Sequence, residues 1–125
     1  MPRLRHVLGA AVVALALLPA ATADASYRTC KSADLRYPFQ PGGPKTFGVF
    51  RLKITGGTCT TAHRVAKAWM TKFEADLREP GPLKLPRKIE GFTFTTLAPN
   101  AAQTYRLRGR KQSTTLRFDY AVPNG

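Results

Sequence analysis

The chain has 125 residues, of which 20 are Lys or Arg and 7 are Asp or Glu, a formal charge of +13 at neutral pH. A length of this order makes one small domain with a limited core, and charge of this sign favours acidic partners without choosing among them. Two cysteines permit a single intramolecular pairing and, with two histidines in all, cannot supply a closed tetrahedral zinc site; no metal and no cofactor is implied.

The first segment, "MPRLRHVLGAAVVALALLPAATADA", runs from two arginines through an apolar stretch (7–18) to small-residue sites at Ala21-Thr22-Ala23 and Ala23-Asp24-Ala25. This is the pattern of a secretory signal peptide, residues 1–23, with cleavage expected after Ala23 or Ala25. The apolar stretch falls short of the roughly 20 residues a helix needs to cross a bilayer, and no later segment is apolar enough to span. The expectation is a single secreted domain over residues 24–125, extracellular or associated with the cell envelope. It carries 18 basic residues against 7 acidic ones, a charge of +11.

Residues 27–37 have too poor a pattern to settle whether they form a strand. The stretch "YPFQPGGPKTFG" (37–48), rich in proline and glycine, reads as a long loop. In "FRLKIT", Phe50, Leu52 and Ile54 alternate with Arg51, Lys53 and Thr55, the period of a half-buried strand. Gly56 and Gly57 end it. Thr58 or Thr60 then caps a helix in which Ala62, Val65, Ala66, Trp69, Met70, Phe73 and Leu77 recur at spacings of three and four. "EPGPLKLPRK" (79–88) has three prolines and closes that helix with an extended connection.

Three more strands follow. "GFTFTTL" sets Phe92 and Phe94 against Thr93 and Thr95; "TYRLRG" sets Tyr105 and Leu107 against Arg106 and Arg108. "TTLRFDYAV" sets Leu116, Phe118, Tyr120 and Val122 against Thr115, Arg117 and Asp119, with 109–113 as the hairpin connection. One helix with one apolar face and several such strands are satisfied together by an α+β arrangement. The helix lies across a small antiparallel sheet of three to five strands, with one disulfide.

The cysteine at the helix entrance, Cys59, has the chain's second histidine, His63, four residues on, so a nucleophile with its base is one reading. The other is a structural disulfide between Cys30 and Cys59. Export to an oxidising compartment and the lack of any motif to orient His63 favour the disulfide. Closing a loop of about 30 residues would stabilise the fold by roughly 3 to 4 kcal/mol in the chain-entropy model.

The pattern Gly-x-x-Cys-x-x-Ala at Gly56, Cys59 and Ala62, followed by Val65 and Trp69, then "GFTF" (91–94) and "RFDY" (117–120), resembles small exported helix-plus-sheet proteins of high-GC Gram-positive bacteria. That family has no assigned activity, so the resemblance implies fold and export. It also implies that a second cysteine pair, present in many members, is replaced here by Phe94 and Tyr105.

The alternation places Arg51, Lys53, Arg106, Arg108 and Arg117 on the sheet face turned from the helix, a candidate anion-binding face interleaved with threonines. The expected function is that of a secreted, non-catalytic basic module associating with anionic cell-wall polymer or membrane lipid. A protein-binding module or inhibitor of a secreted enzyme, using the loop 38–44 as a wedge, is the alternative. Nucleic acid is disfavoured, since Phe92, Phe94, Tyr105, Phe118 and Tyr120 all fall on the inner face, away from any base to stack. A small hydrolase would need a pocket holding Asp119 or His63, or a meeting of Asp34 with Asp119. Glu74, Asp76 and Glu79 read as helix-surface charges.

Overall fold

The computed structural model describes residues 26–97 and 104–122; the expected signal peptide lies outside them. Their elements are β1 (Arg28–Thr29), a 3-10 turn (Ala33–Leu35), β2 (Arg36–Pro38), β3 (Lys45–Thr55), α1 (Cys59–Leu77), β4 (Lys88–Ile89), β5 (Phe92–Thr96), β6 (Thr104–Lys111) and β7 (Thr114–Ala121). The seven strands make one antiparallel sheet in the order β1-β3-β7-β6-β5-β4, with β2 pairing β3 beside β1. The α+β class with one helix on one sheet is therefore correct, and the expected three to five strands is too few. The surplus is β1, β2 and β4, each two or three residues long, too short to print a period in the sequence.

Two boundaries also move. β3 begins at Lys45 and pairs with β2, so the long loop expected over 37–48 shrinks to a hairpin connection at 39–44. Gly48 makes the close approach possible. It has φ of +116°, and a Cβ there would sit 2.1 Å from the Leu35 carbonyl oxygen. The β6–β7 hairpin turns on Gln112 and Ser113 alone, while Gly109 stays in strand opposite Leu116. It lies beneath the Phe94 ring, whose nearest carbons would be 2.7 Å from a Cβ.

α1 starts as its sequence dictates. Thr58 is the N-cap, its side-chain oxygen accepting the Thr61 backbone N–H at 3.2 Å. The stripe Ala62, Val65, Ala66, Trp69, Met70 and Phe73 is buried against the sheet. Trp69 is the hub, stacked on Phe73 at 5.1 Å and meeting Phe118 and Tyr120 at 5.4 Å each. Its indole N–H donates to the Pro86 carbonyl at 3.2 Å, which ties the proline-rich connection to the core. Leu77, expected on the buried stripe, is 51 % exposed at the C-terminal end of α1, where it lines an open cleft.

Cys30 and Cys59 form a disulfide, with Cα atoms 5.3 Å apart. It joins the residue after β1, whose N–H bonds to the Leu52 carbonyl, to the first residue of α1. Cys59 is thus an anchor between sheet edge and helix. His63 is held at the surface, its Nε2 lying 2.7 Å from Asp34 Oδ2. That hydrogen bond holds the Asp34 carboxyl below its ordinary value.

Candidate functional site

The outer face of the sheet is set by strand register. Direct cross-strand partners share a face, so the pairs Lys53 with Arg117, Arg117 with Arg108, and Arg108 with Thr95 make one row across β3, β7, β6 and β5. Three cations stand side by side in it, one strand spacing of about 4.8 Å apart. A second row holds Phe50, Asp119 and Arg106, and a third Thr55, Thr115, Arg110 and Thr93.

A bulge in β3 modifies the face. Phe50 opposes Asp119 and Lys53 opposes Arg117, so Arg51 and Leu52 together face Phe118. Arg51 takes φ of +54° at this point. The inserted residue reverses the alternation upstream, so Val49 is the core residue and Phe50 lies outward, covered by the Arg36 guanidinium at 4.3 Å. The expectation that Phe50 shares the inner face with Leu52 and Ile54 is corrected accordingly. Arg51 remains on the outer face: its Nη1 donates to Asp119 Oδ2 at 2.9 Å, while Arg106 Nε reaches Oδ1 at 3.3 Å.

All five expected cationic residues therefore belong to one surface. Arg51, Lys53, Arg106 and Arg117 line a small indentation of about 200 Å³ around Asp119, and Arg108 is the neighbour of Arg117. Asp119 neutralises the second row. The first row has no such partner, since Lys53, Arg108 and Arg117 make no ion pair among the described residues. Arg108 Nε is moreover buried with no hydrogen-bond partner. Lys53 and Arg117 flank the Tyr27 ring, at 5.2 and 6.0 Å. Tyr27, Arg36 and Arg110 are members of this face that the sequence reading missed; only Arg110 had a signal, as the next alternate residue after Arg108.

No family model, curated protein or solved structure matches the chain. Asp34 and Asp119 do not meet: one is bound to His63 beside the helix entrance, the other lies between two arginines on the opposite side of the sheet. Phe94 and Tyr105 are not cross-strand partners either, since Phe94 faces Gly109 and Tyr105 faces Tyr120.

A second feature sits at the C-terminal end of α1. Tyr37, Phe47, Phe73, Glu74, Leu77, Arg78, Leu83, Tyr105, Tyr120 and Val122 line an open cleft of about 710 Å³. Glu74 is not the plain surface charge expected of it. Its carboxylate accepts from the Tyr120 hydroxyl at 2.7 Å and more weakly from Tyr37 at 3.4 Å. Burial, then the neighbouring Glu74, push both hydroxyls above the ordinary tyrosine value, so both remain donors at neutral pH. The signal for Glu74 was its spacing, four residues after Met70 and three before Leu77, on the shoulder of the apolar stripe.

Proposed function

We propose that this chain is an exported, non-catalytic module that associates with an anionic cell-envelope polymer or lipid surface through the outer face of its sheet. The observation that carries the reading is the row Lys53, Arg117 and Arg108, three adjacent cations with no acidic partner among the described residues. Like charges directly opposite on neighbouring strands destabilise a sheet, so an array of this kind invites a bound anion. Arg108 Nε, buried without a partner, adds a donor whose desolvation cost is unmet. The disulfide fits an oxidising compartment, and no helix of the described residues is long and apolar enough to cross a membrane.

The test is retention on isolated cell wall and, separately, on vesicles of phosphatidylglycerol mixed with phosphatidylcholine. The double variant Arg108→Gln with Arg117→Gln is expected to lose most binding to whichever surface is the ligand. The double variant Lys67→Gln with Lys84→Gln, which removes the same charge outside the sheet face, is expected to retain it. Equal losses in the two variants would reduce the effect to net charge and sink the reading.

One observation favours a second reading, a protein-binding module or inhibitor. Phe39, in the 39–44 connection, is 57 % exposed at the tip of the β2–β3 hairpin, a ready apolar wedge. Capture of a stoichiometric protein partner from culture supernatant, lost on Phe39→Ser, would establish that reading instead.

A further inference from the structure

The cleft at the C-terminal end of α1 is chemically opposite to the basic face. Its walls are aromatic and aliphatic: Tyr37 from β2, Phe47 from β3, Phe73 from α1, Tyr105 from β6 and Tyr120 from β7 converge there. At the rim, Leu77 and Leu83 are 51 % and 50 % exposed, and they are two of the three large apolar side chains so exposed among the described residues. A volume of about 710 Å³ lies within the ordinary range for small-molecule sites.

The one carboxylate in the cleft is Glu74, and it has no ion pair among the described residues. This is unexpected in a chain where basic residues outnumber acidic ones 20 to 7. Asp76, Glu90 and Asp119 each pair with a cation and Asp34 is hydrogen-bonded to His63, which leaves Glu74 and the exposed Glu79 without an ion pair among the described residues. Arg78, one helical turn on and lining the same cleft, is exposed and beyond ion-pair distance of Glu74. The two tyrosine hydroxyls occupy part of the carboxylate's acceptor capacity, leaving lone pairs for another donor.

We infer that this cleft binds a small organic cation, an ammonium group carrying an apolar substituent. Aromatic faces attract such a cation through the ring quadrupole, and a carboxylate at the wall supplies the counter-charge. The apolar substituent covers the leucines and rings that water now meets. The positive charge of the rest of the molecule opposes this only weakly. Arg78 is the one cation lining the cleft and is exposed to screening solvent, while the sheet-face cations lie across the sheet; the Debye length is about 8 Å at physiological salt. An anion, by contrast, would face Glu74 at contact. The inference does not depend on the basic sheet face, and its test does not touch that face.

The probes are 3-phenylpropylammonium, the neutral 3-phenylpropan-1-ol and the anionic 3-phenylpropionate, titrated into the disulfide-intact chain and followed by the ring proton resonances of Tyr37, Phe47 and Tyr105. The expected result is saturable one-to-one binding of the ammonium, about tenfold tighter than the alcohol, with the carboxylate weakest. In Glu74→Gln, whose amide oxygen can still accept from Tyr120, the preference for the ammonium is expected to vanish while the alcohol binds as before. Alcohol or carboxylate binding as tightly as ammonium on the unaltered chain overturns the inference, whatever the variant does. So does the lack of saturation at millimolar ammonium, or sedimentation showing that a second copy of the chain covers the cleft.

Discussion

Asp119 shows what one residue has to do in the middle of a cationic sheet. Its side chain is 5 % exposed and receives Arg51 and Arg106 on its two oxygens. Charge-assisted hydrogen bonds of this kind contribute more than neutral ones, though Arg51 is 75 % exposed and its share is reduced by solvent screening. Asp119→Asn is expected to destabilise the fold by roughly 1 to 3 kcal/mol in urea unfolding, and to tighten binding to anionic vesicles by removing the one acid from the face. Asp34 makes a pH-dependent contribution with a definite sign. Its folded value is depressed by His63, so the stabilisation is present at neutral pH and is lost as the pH falls through that lowered value. Carbon-detected titration of the side chain is expected to show the depressed value, and His63→Ala to return it to the ordinary carboxylate range; an unchanged value in the variant would refute the coupling. At this scale the sequence was half legible. Alternation put Arg117 and Asp119 on the outer face, but nothing in "FRLKIT" announces that Arg51 adopts a left-handed φ without being glycine. The bulge therefore stayed hidden, and with it the outward turn of Phe50.

Elements differ in how plainly their causes are written in the chain. The helix is specified several times over: by its cap, its stripe, the glycines before it and the prolines after it. The strands β5, β6 and β7 are specified by their alternation. β1 and β2 exist because β3, eleven residues long, exposes an edge that two short segments can cover; their presence follows from the tertiary structure and leaves little trace in local sequence. The disulfide was legible because two cysteines have only one way to pair. The cleft was not, because it gathers residues from five elements that local periodicity does not connect. Gly48 is the point where β2 and β3 depend on one atom being absent. Gly48→Ala would place a Cβ against the Leu35 carbonyl at 2.1 Å and fix an L residue at φ of +116°. The expected outcome is loss of the β2–β3 pairing and at least about 2 to 3 kcal/mol of stability, visible as fast amide exchange at Tyr37 and Phe47. At the helix entrance, Thr58→Ala is expected to cost about 1 kcal/mol, a deficit that persists with the disulfide intact.

Across the whole molecule the charges are segregated. Asp34 and Glu90 bind residues of α1, Glu74 and Asp76 lie on it and Glu79 follows its end, which leaves Asp119 as the only described acid within the strand register of the outer sheet face. Segregation of this kind has a cost within the fold, because Lys53, Arg117 and Arg108 repel one another across adjacent strands. Arg117 stands between the other two, so Arg117→Thr relieves both contacts at once and supplies a β-branched residue suited to a strand. The variant is expected to be more stable than the native chain by a few tenths to about 1 kcal/mol at low ionic strength. That gain should shrink towards zero at 1 M salt, where the screening length falls to about 3 Å. At low ionic strength the variant should also bind the anionic surface more weakly than the native chain, a difference that screening removes at 1 M salt. A residue that lowers stability while raising affinity is what a ligand-binding face produces, and a residue that is merely solvated would do neither. Urea melts at two salt concentrations, paired with sedimentation on vesicles and on isolated cell wall, separate the cases: if Arg117→Thr is no more stable at low salt, or binds both surfaces as well as the native chain, the row of cations is a solvated surface.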